Sequence, residues 1–159
     1  AHRLAYAYAD PDAADTAVGG LAAEDWFSLG VSYDRQGDAV RAEAAYRQAL
    51  DRARDDRRRG EVYSQLAALL KRQTRWSEAA ALWELWLTSV PGLDTTPYIE
   101  LAKYYEWQAA DLEQAEMWTA WALHNLQAAL PHQRPPGQVD ELEHRLARIR
   151  RKRSAGEPQ

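Results

Sequence analysis

The sequence predicts an all-α fold: a right-handed superhelix of three helix-turn-helix repeats plus a C-terminal capping helix. The composition favours helix throughout, because Ala, Leu, Arg, Glu and Gln dominate while Phe appears once and β-branched residues are sparse. One pattern of small and apolar residues recurs three times along the chain. An amphipathic segment follows the last copy, where a repeat array needs its final apolar face covered.

The first copy spans residues 23–59, and its two helices are expected near 22–36 and 39–54. Gly30 and Ala42 are small, so the two helices can approach closely there. Larger residues fill the surrounding space, namely Trp26, Leu29, Tyr33, Tyr46 and Leu50. Gly37 is placed to end the first helix as a C-cap glycine. This spacing resembles the tetratricopeptide repeat (TPR).

The second and third copies, at 60–94 and 95–130, keep the same register. The second carries Tyr63, Leu66, Ala67 and Leu70, then Ala79, Trp83 and Leu87. The third carries Tyr98, Leu101, Ala102 and Tyr105, then Ala115, Ala122 and Leu123, with Thr119 at the usual aromatic position. Thr95 or Thr96 before Pro97 predicts an N-cap with proline in the first helical turn.

The remaining segments are assigned from breakers and periodicity. Residues 1–21 are expected to be an N-terminal segment, with a short helix at 1–9 and a linker at 11–20. Residues 131–153 are expected to form a Pro-rich turn and the capping helix, whose stripe is Val139, Leu142, Leu146 and Ile149. Residues 154–159 are expected to be a frayed tail. The charged run 51–59 is expected to be a solvated helix end. The missing initiator Met predicts a processed protein or a piece of a longer one.

Charge and motifs argue against most chemistries. A formal net charge of −4 disfavours nucleic-acid binding by the domain as a whole. The absence of Cys is compatible with the cytoplasm, and no signal peptide or membrane-length apolar run is found. Glu141 and His144 match one Glu-x-x-His pair of di-iron bundles, but such a site needs a second pair and two further carboxylates. We therefore expect no enzyme activity, no catalytic residue, no metal and no cofactor.

The first helices of stacked hairpins line a concave groove that often binds a peptide or a partner helix. Counted from the core positions, the groove is expected to be lined by Phe27, Val31, Ser64, Ala68, Lys71, Ile99, Lys103 and Trp107. These positions are mostly apolar or small, which disfavours a clamp for the C-terminal carboxylate of a chaperone. The main hypothesis is a non-catalytic scaffold that binds a protein or peptide, or an upstream domain of the same polypeptide. Whether the groove is open or self-filled stays undecided.

Two alternatives concern the last helix. Its basic end consists of Arg148, Arg150, Arg151, Lys152 and Arg153, with Arg145 one turn earlier. Such cations complement the helix dipole, and they also contact phosphates, although no aromatic residues are interleaved for base stacking. The first alternative is therefore an accessory arm that assists nucleic-acid binding. The second is self-association through the apolar stripe of the capping helix, giving a weak dimer in place of a monomer.

Two segments also resemble a narrower family. They are residues 66–73 with 78–84, and Glu100-Leu-Ala-Lys-Tyr-Tyr-Glu106 followed by 115–119 and 122–123. Together they resemble the C-terminal helical region of bacterial ribonuclease-H-like proteins, whose N-terminal part is similar to a DEDD-type exonuclease. The resemblance implies a bacterial cytosolic setting and a parent enzyme that acts on nucleic acid with divalent metals. None of that domain's acidic motifs can be matched here, so no catalytic residue is carried over.

Overall fold

The computed structural model describes residues 20–92 and 94–156, which form seven α-helices and one short 3₁₀ helix. The α-helices are α1 (Ala23–Arg35), α2 (Ala39–Arg52), α3 (Asp56–Arg72), α4 (Trp76–Ser89), α5 (Thr96–Trp107), α6 (Leu112–Ala128) and α7 (Gln138–Gly156), and the 3₁₀ helix is Pro131–Gln133. The predicted all-α fold of paired helices is confirmed. The helix expected at 1–9 and the linker up to residue 19 lie outside the described residues.

The helices fall into two compact units that meet between Arg75 and Trp76. The first unit contains α1, α2 and α3, and the second contains α4 to α7. The predicted second repeat therefore contributes α3 to the first unit and α4 to the second.

In the first unit, α1 and α2 pack at the predicted close approach. Gly30 and Tyr46 are both buried, and a Cβ added to Gly30 would lie 2.5 Å from Tyr46 Cδ1. The ring therefore occupies the space that a methyl group would need. Burial, followed by the negative charge of Asp34, raises the pKa of Tyr46 to about 12, so the phenol is a neutral packing group. Gly37 follows α1 with a φ of +80°, as a glycine after a helix C-cap does.

The charged run 51–59 divides between two helices, so the expectation of one solvated helix end was wrong. α2 ends at Arg52, and α3 begins at Asp56. The physical reason is an N-cap: Asp55 accepts a hydrogen bond from the Arg58 backbone N–H at 2.8 Å. The part of the run that follows Asp55 thus forms the first turn of α3.

In the second unit, α5 and α6 pack through small buried residues, and α7 covers them. Leu101 and the small residues Ala102, Ala115, Thr119 and Ala122 are fully buried. A cluster of Ala122, Leu126 and Leu142 joins α6 to α7. Leu146 and Ile149 are also buried, so the apolar stripe of α7 packs against the other helices of the unit. It is not an exposed surface for self-association. α7 continues through residues 154–156, part of the expected tail.

The start of α5 follows the predicted site with a different acceptor. Thr95 is the N-cap residue by position and Pro97 lies in the first turn, but the Thr95 side chain makes no capping hydrogen bond. The Thr96 backbone N–H instead donates to Asp94 Oδ1 at 2.9 Å. The Asp94 carboxylate therefore provides the hydrogen-bond acceptor that the threonine hydroxyl was expected to provide.

Candidate partner-binding surfaces

The first unit holds five of the eight predicted groove residues, on α1 and α3. We call this surface the α1–α3 face, and it consists of Phe27, Val31, Ser64, Ala68 and Lys71. Phe27 and Val31 are one helical turn apart, and the three α3 residues follow one stripe at steps of four and three. Ser64 is exposed and the other four are half-buried. The described helices of the unit therefore leave a shallow strip that is mainly apolar.

Ion pairs flank this face and fix the direction of its helices. Near the start of both helices, Arg58 Nε lies 3.8 Å from Glu24 Oε1. Near their ends, Arg72 Nη2 lies 2.6 Å from Asp34 Oδ1. Because early residues pair with early residues and late with late, α1 and α3 run parallel, as the first helices of consecutive repeats do. The pairs are partly exposed, so each contributes about 1 kcal/mol or less.

Phe27 is held in place from both sides. Its ring centroid lies 6.0 Å from that of Tyr46 in a tilted arrangement. The Arg58 guanidinium lies over the same ring, with Cζ 4.9 Å from the centroid. Contacts of both kinds stabilise by about 0.5–1 kcal/mol beyond simple burial. Phe27 is therefore a rigid, half-buried part of the face rather than a loose anchor.

The second unit treats the other three predicted groove residues differently. Ile99 is half-buried against the cluster of Ala122, Leu126 and Leu142, so it serves internal packing. Lys103 donates to Glu100 Oε1 at 2.8 Å, so its ammonium is paired within its own helix. Trp107 is 57% exposed at the end of α5. Among these three, Trp107 presents by far the most surface to a partner.

A buried carboxylate beside Trp107 ties α5 to α7. The Glu106 side chain has no exposed surface, yet it accepts hydrogen bonds from three cations of α7. Arg145 Nη1 and Arg148 Nη2 donate to Oε2 at 3.0 and 2.8 Å, and Lys152 Nζ donates to Oε1 at 2.8 Å. Burial alone would raise the pKa of Glu106, but hydrogen bonds from Arg148 and Lys152 outweigh it and hold the pKa below its usual range. Glu106 is therefore ionised at neutral pH.

The predicted nucleic-acid residues are largely engaged in ion pairs within the unit. Arg148 and Lys152 bind Glu106. Arg150 Nε donates to Glu116 Oε1 at 2.8 Å, and Arg153 pairs with the other oxygen of the same carboxylate. Hydrogen bonds from these two arginines lower the pKa of Glu116. Arg151 is exposed. These cations therefore serve first to hold α7 against α5 and α6.

Sequence reasoning missed Glu106 and underrated Arg145. Carboxylates usually lie on the solvated faces of helices, whereas Glu106 is buried. A signal was available, because Glu106 lies one turn after Ala102 on the stripe of α5 that the repeat pattern buries. Arg145 likewise lies between Leu142 and Ile149 on the apolar stripe of α7, and it is 7% exposed. The stripes of α5 and α7 must both be buried. A negative charge on one and a positive charge on the other therefore indicate a buried ion pair.

Two further expectations concern metals and membranes. Across residues 20–92 and 94–156, no group of three or more potential ligands among His, Cys, Asp and Glu could hold a metal ion. His144, the histidine of the Glu-x-x-His match, is exposed and donates through Nδ1 to the Asp140 carbonyl oxygen at 2.8 Å. None of the helices in the described part of the chain has the length and hydropathy needed to span a bilayer.

Comparison with solved structures supports the architecture. The crystal structure of PcrH from Pseudomonas aeruginosa matches with a TM-score of 0.61 and 18% identity, over 82% of this chain and 96% of that one. The fold is a TPR-like helical repeat. The structure of BtubC (BKLC) from P. vanneervenii matches at 19% identity over 99% of this chain and 89% of that chain, with a TM-score of 0.40.

The sequence comparisons add no family. No protein-family model matches the chain, and no curated protein sequence does so either. At 18% identity, the likeness to PcrH concerns the fold alone. The resemblance to the helical region of nuclease-like proteins finds no support in these comparisons.

Proposed function

We propose that this chain is a non-catalytic module that binds a protein or peptide partner through the first helices of its repeats. The TPR-like fold supports this proposal, because such repeats present parallel first helices on one surface. The observation that carries it is the α1–α3 face of the first unit. There, two parallel helices leave Phe27, Val31 and Ala68 half-buried between flanking ion pairs.

The chemistry of the face suits a short apolar segment of a partner. Half-buried apolar side chains gain about 25 cal/mol for each Å² that a ligand removes from water. The rigid placement of Phe27 between Tyr46 and Arg58 lowers the entropic cost of ordering the site. The exposed Ser64 offers a polar contact along the strip. A partner helix or extended peptide that lays one apolar edge on this strip satisfies all of these groups.

A pair of matched variants tests the surface. Ser64→Arg places a long charged side chain on the α1–α3 face at an exposed helical position, so it blocks docking while leaving the core intact. Ala44→Arg makes a comparable change at an exposed position on α2, away from the face. A partner captured by the wild-type chain is identified and purified, and its affinity is measured by calorimetry. We expect Ser64→Arg to weaken binding about tenfold or more, and Ala44→Arg to leave it unchanged. Equal affinity for all three chains would refute this surface.

The nucleic-acid alternative has no observation of its own in its favour. Arg148, Arg150, Lys152 and Arg153 are bound to Glu106 and Glu116, so part of their positive charge is already compensated within the unit. The formal charge of the whole chain is −4. Protein binding is the better supported function.

A further inference from the structure

The second half of α7 concentrates positive charge. Its basic cluster consists of Arg145, Arg148, Arg150, Arg151, Lys152 and Arg153, and no acidic residue lies among them. Side chains of this cluster bind Glu106 of α5 and Glu116 of α6. Six cations against two carboxylates leave a formal excess of four positive charges. Because the whole chain carries −4, the rest of the molecule carries −8.

Arg148, Arg150 and Lys152 keep much of their surface exposed although they bind Glu106 and Glu116. A guanidinium offers five N–H groups and an ammonium three, whereas one carboxylate accepts about four hydrogen bonds. Three cations share Glu106, yet the side chains of Arg148 and Lys152 remain 41% and 46% exposed. Arg150 is 60% exposed while bound to Glu116. The cluster therefore presents donors that are already oriented by internal carboxylates and still face solvent.

An exposed aromatic side chain adjoins these donors. Trp107 directly follows Glu106, and Arg145 lies over its ring with Cζ 5.3 Å from the centroid. More than half of Trp107 is exposed, which is unusual for the largest apolar side chain. Trp and Arg are the residue types that most often dominate the energetics of protein interfaces. An exposed aromatic ring beside oriented cations favours a ligand with both a negative and an apolar group.

The size of the basic cluster decides which anion fits. Nine residues of helix extend about 12 Å. Before the cluster, α7 carries Asp140, Glu141 and Glu143, all exposed. A duplex carries one charge per about 1.7 Å, so it would extend beyond the cluster into a molecule of net negative charge. A short acidic segment can lie on the cluster alone.

We propose that the basic cluster and Trp107 together bind an acidic peptide segment of a protein partner. Carboxylates about one helical turn apart on that segment meet Arg148, Arg151 and Lys152, and an apolar side chain between them covers Trp107. Guanidinium groups bind carboxylates with short, charge-assisted hydrogen bonds, as Arg148 already does with Glu106. This inference rests on the proposed protein-binding function and adds the chemistry of one partner segment.

The test measures fluorescence anisotropy of labelled probes on the full chain. The probe is a short glutamate-rich peptide with one central leucine, compared with its glutamine counterpart and with single-stranded and duplex oligonucleotides. Arg151→Glu reverses an exposed charge without removing an ion pair to Glu106 or Glu116. Arg54→Glu makes the same change at an exposed position of the first unit.

We expect the glutamate peptide to bind in a salt-dependent manner and the glutamine peptide not to bind. Arg151→Glu should weaken binding about fivefold or more, and Arg54→Glu should not. Trp107→Ala should weaken binding only when the peptide contains leucine. Failure of the glutamate peptide to bind, or equal binding by its glutamine counterpart, would overturn the proposal. So would tighter binding of an oligonucleotide that is lost in Arg151→Glu. The Ser64→Arg experiment is independent, so either proposal can fail alone.

Discussion

The two units share one repeat pattern but stabilise the packing of their helices in different ways. In the first unit, Gly30 faces the large ring of Tyr46, and the two shapes interlock. In the second unit, the equivalent positions hold Ala102 and Thr119, which are both small and fully buried. There the final helix is held by the Glu106 carboxylate, whose side chain is completely buried and binds three cations. Helix packing in the first unit therefore depends on complementary side-chain shapes, and in the second it depends more on a buried ion-pair site.

Each unit also contains a carboxylate that binds more than one cation. The two carboxylates differ in how deeply they are buried. Glu43 of α2 accepts from Arg75 beyond α3, at 2.5 and 3.1 Å, and from Arg47 of its own helix. Its side chain keeps 11% of its surface exposed, while that of Glu106 keeps none. Water can compensate a lost partner at Glu43 more easily than at Glu106. Carboxylates that each bind more than one cation can therefore differ widely in how much they stabilise their unit.

Glu106→Gln should have the largest effect on stability. It leaves three cations of α7 close together without a buried negative charge, and breaking such a site costs about 3–5 kcal/mol. We expect a loss of about 3 kcal/mol in the free energy of unfolding, measured by urea titration with circular dichroism. Hydrogen exchange should show the loss of protection in α5 and α7.

Glu116→Gln is the matched control on the same helix packing. Its partners Arg150 and Arg153 are 60% and 37% exposed, so we expect a loss of about 1 kcal/mol or less. Acid provides a second check. Since folding lowers the pKa of Glu106, its contribution is present above the pKa of about 4.3 for an unfolded Glu and is lost as pH falls through the folded value. The wild type should lose this part of its stability in acid, and Glu106→Gln should not. Equal losses for the two glutamine variants would contradict the special role of Glu106.

Much of the packing could be predicted from the sequence because it depends on local periodicity. Ala42, Tyr46, Leu66, Ala79 and Leu101 were predicted as core from the repeat spacing alone, and each is 0–1% exposed. Helical geometry fixes which residues share a face, so small and large positions three and four apart determine the buried stripe. No knowledge of distant contacts was needed for this step.

The ion-pair site could not be predicted in the same way. Glu106 lies 39 to 46 residues before its partners Arg145, Arg148 and Lys152. Their meeting depends on how α7 packs against α5, which no local period encodes. Ile99 shows the same limit, because the repeat register assigned it to the groove while α6 and α7 surround it. Position within a repeat predicts a face, but neighbouring helices decide whether that face is open.

Gly30→Ala should test the shape-based packing of the first unit and have the next largest effect. A Cβ would lie 2.5 and 2.6 Å from two atoms of the Tyr46 ring, which is fully buried and has little room to move. Overpacking of this kind costs about 1–3 kcal/mol, and the better helix propensity of Ala returns about 1 kcal/mol. We expect a net loss of about 1–2 kcal/mol in urea unfolding. In a Tyr46→Leu background, the same Gly30→Ala change should cost less or become stabilising. A cost that does not depend on residue 46 would contradict the interlock.

The turns between paired helices give the smallest and cleanest comparison of the two units. Gly37, Thr74 and Ala110 occupy equivalent turns, and all three have positive φ, at 80°, 60° and 55°. Only glycine adopts this region without strain. For other residues the strain is about 1–2 kcal/mol, and the larger conformational entropy that glycine loses on folding offsets part of this difference. A Cβ at Gly37 would meet nothing within 4 Å, so Gly37→Ala isolates the backbone effect.

We expect Gly37→Ala to destabilise the first unit by about 0.5–1 kcal/mol and Ala110→Gly to stabilise the second by a similar amount. Thermal unfolding followed by circular dichroism measures both. Gly20→Ala is the control, because a Cβ there also meets nothing within 4 Å and the glycine has no positive φ. It should be neutral. If Ala110→Gly destabilises instead, the flexibility that glycine adds to the unfolded chain outweighs the strain at this turn. The equivalence of the three turns would then be geometric but not energetic.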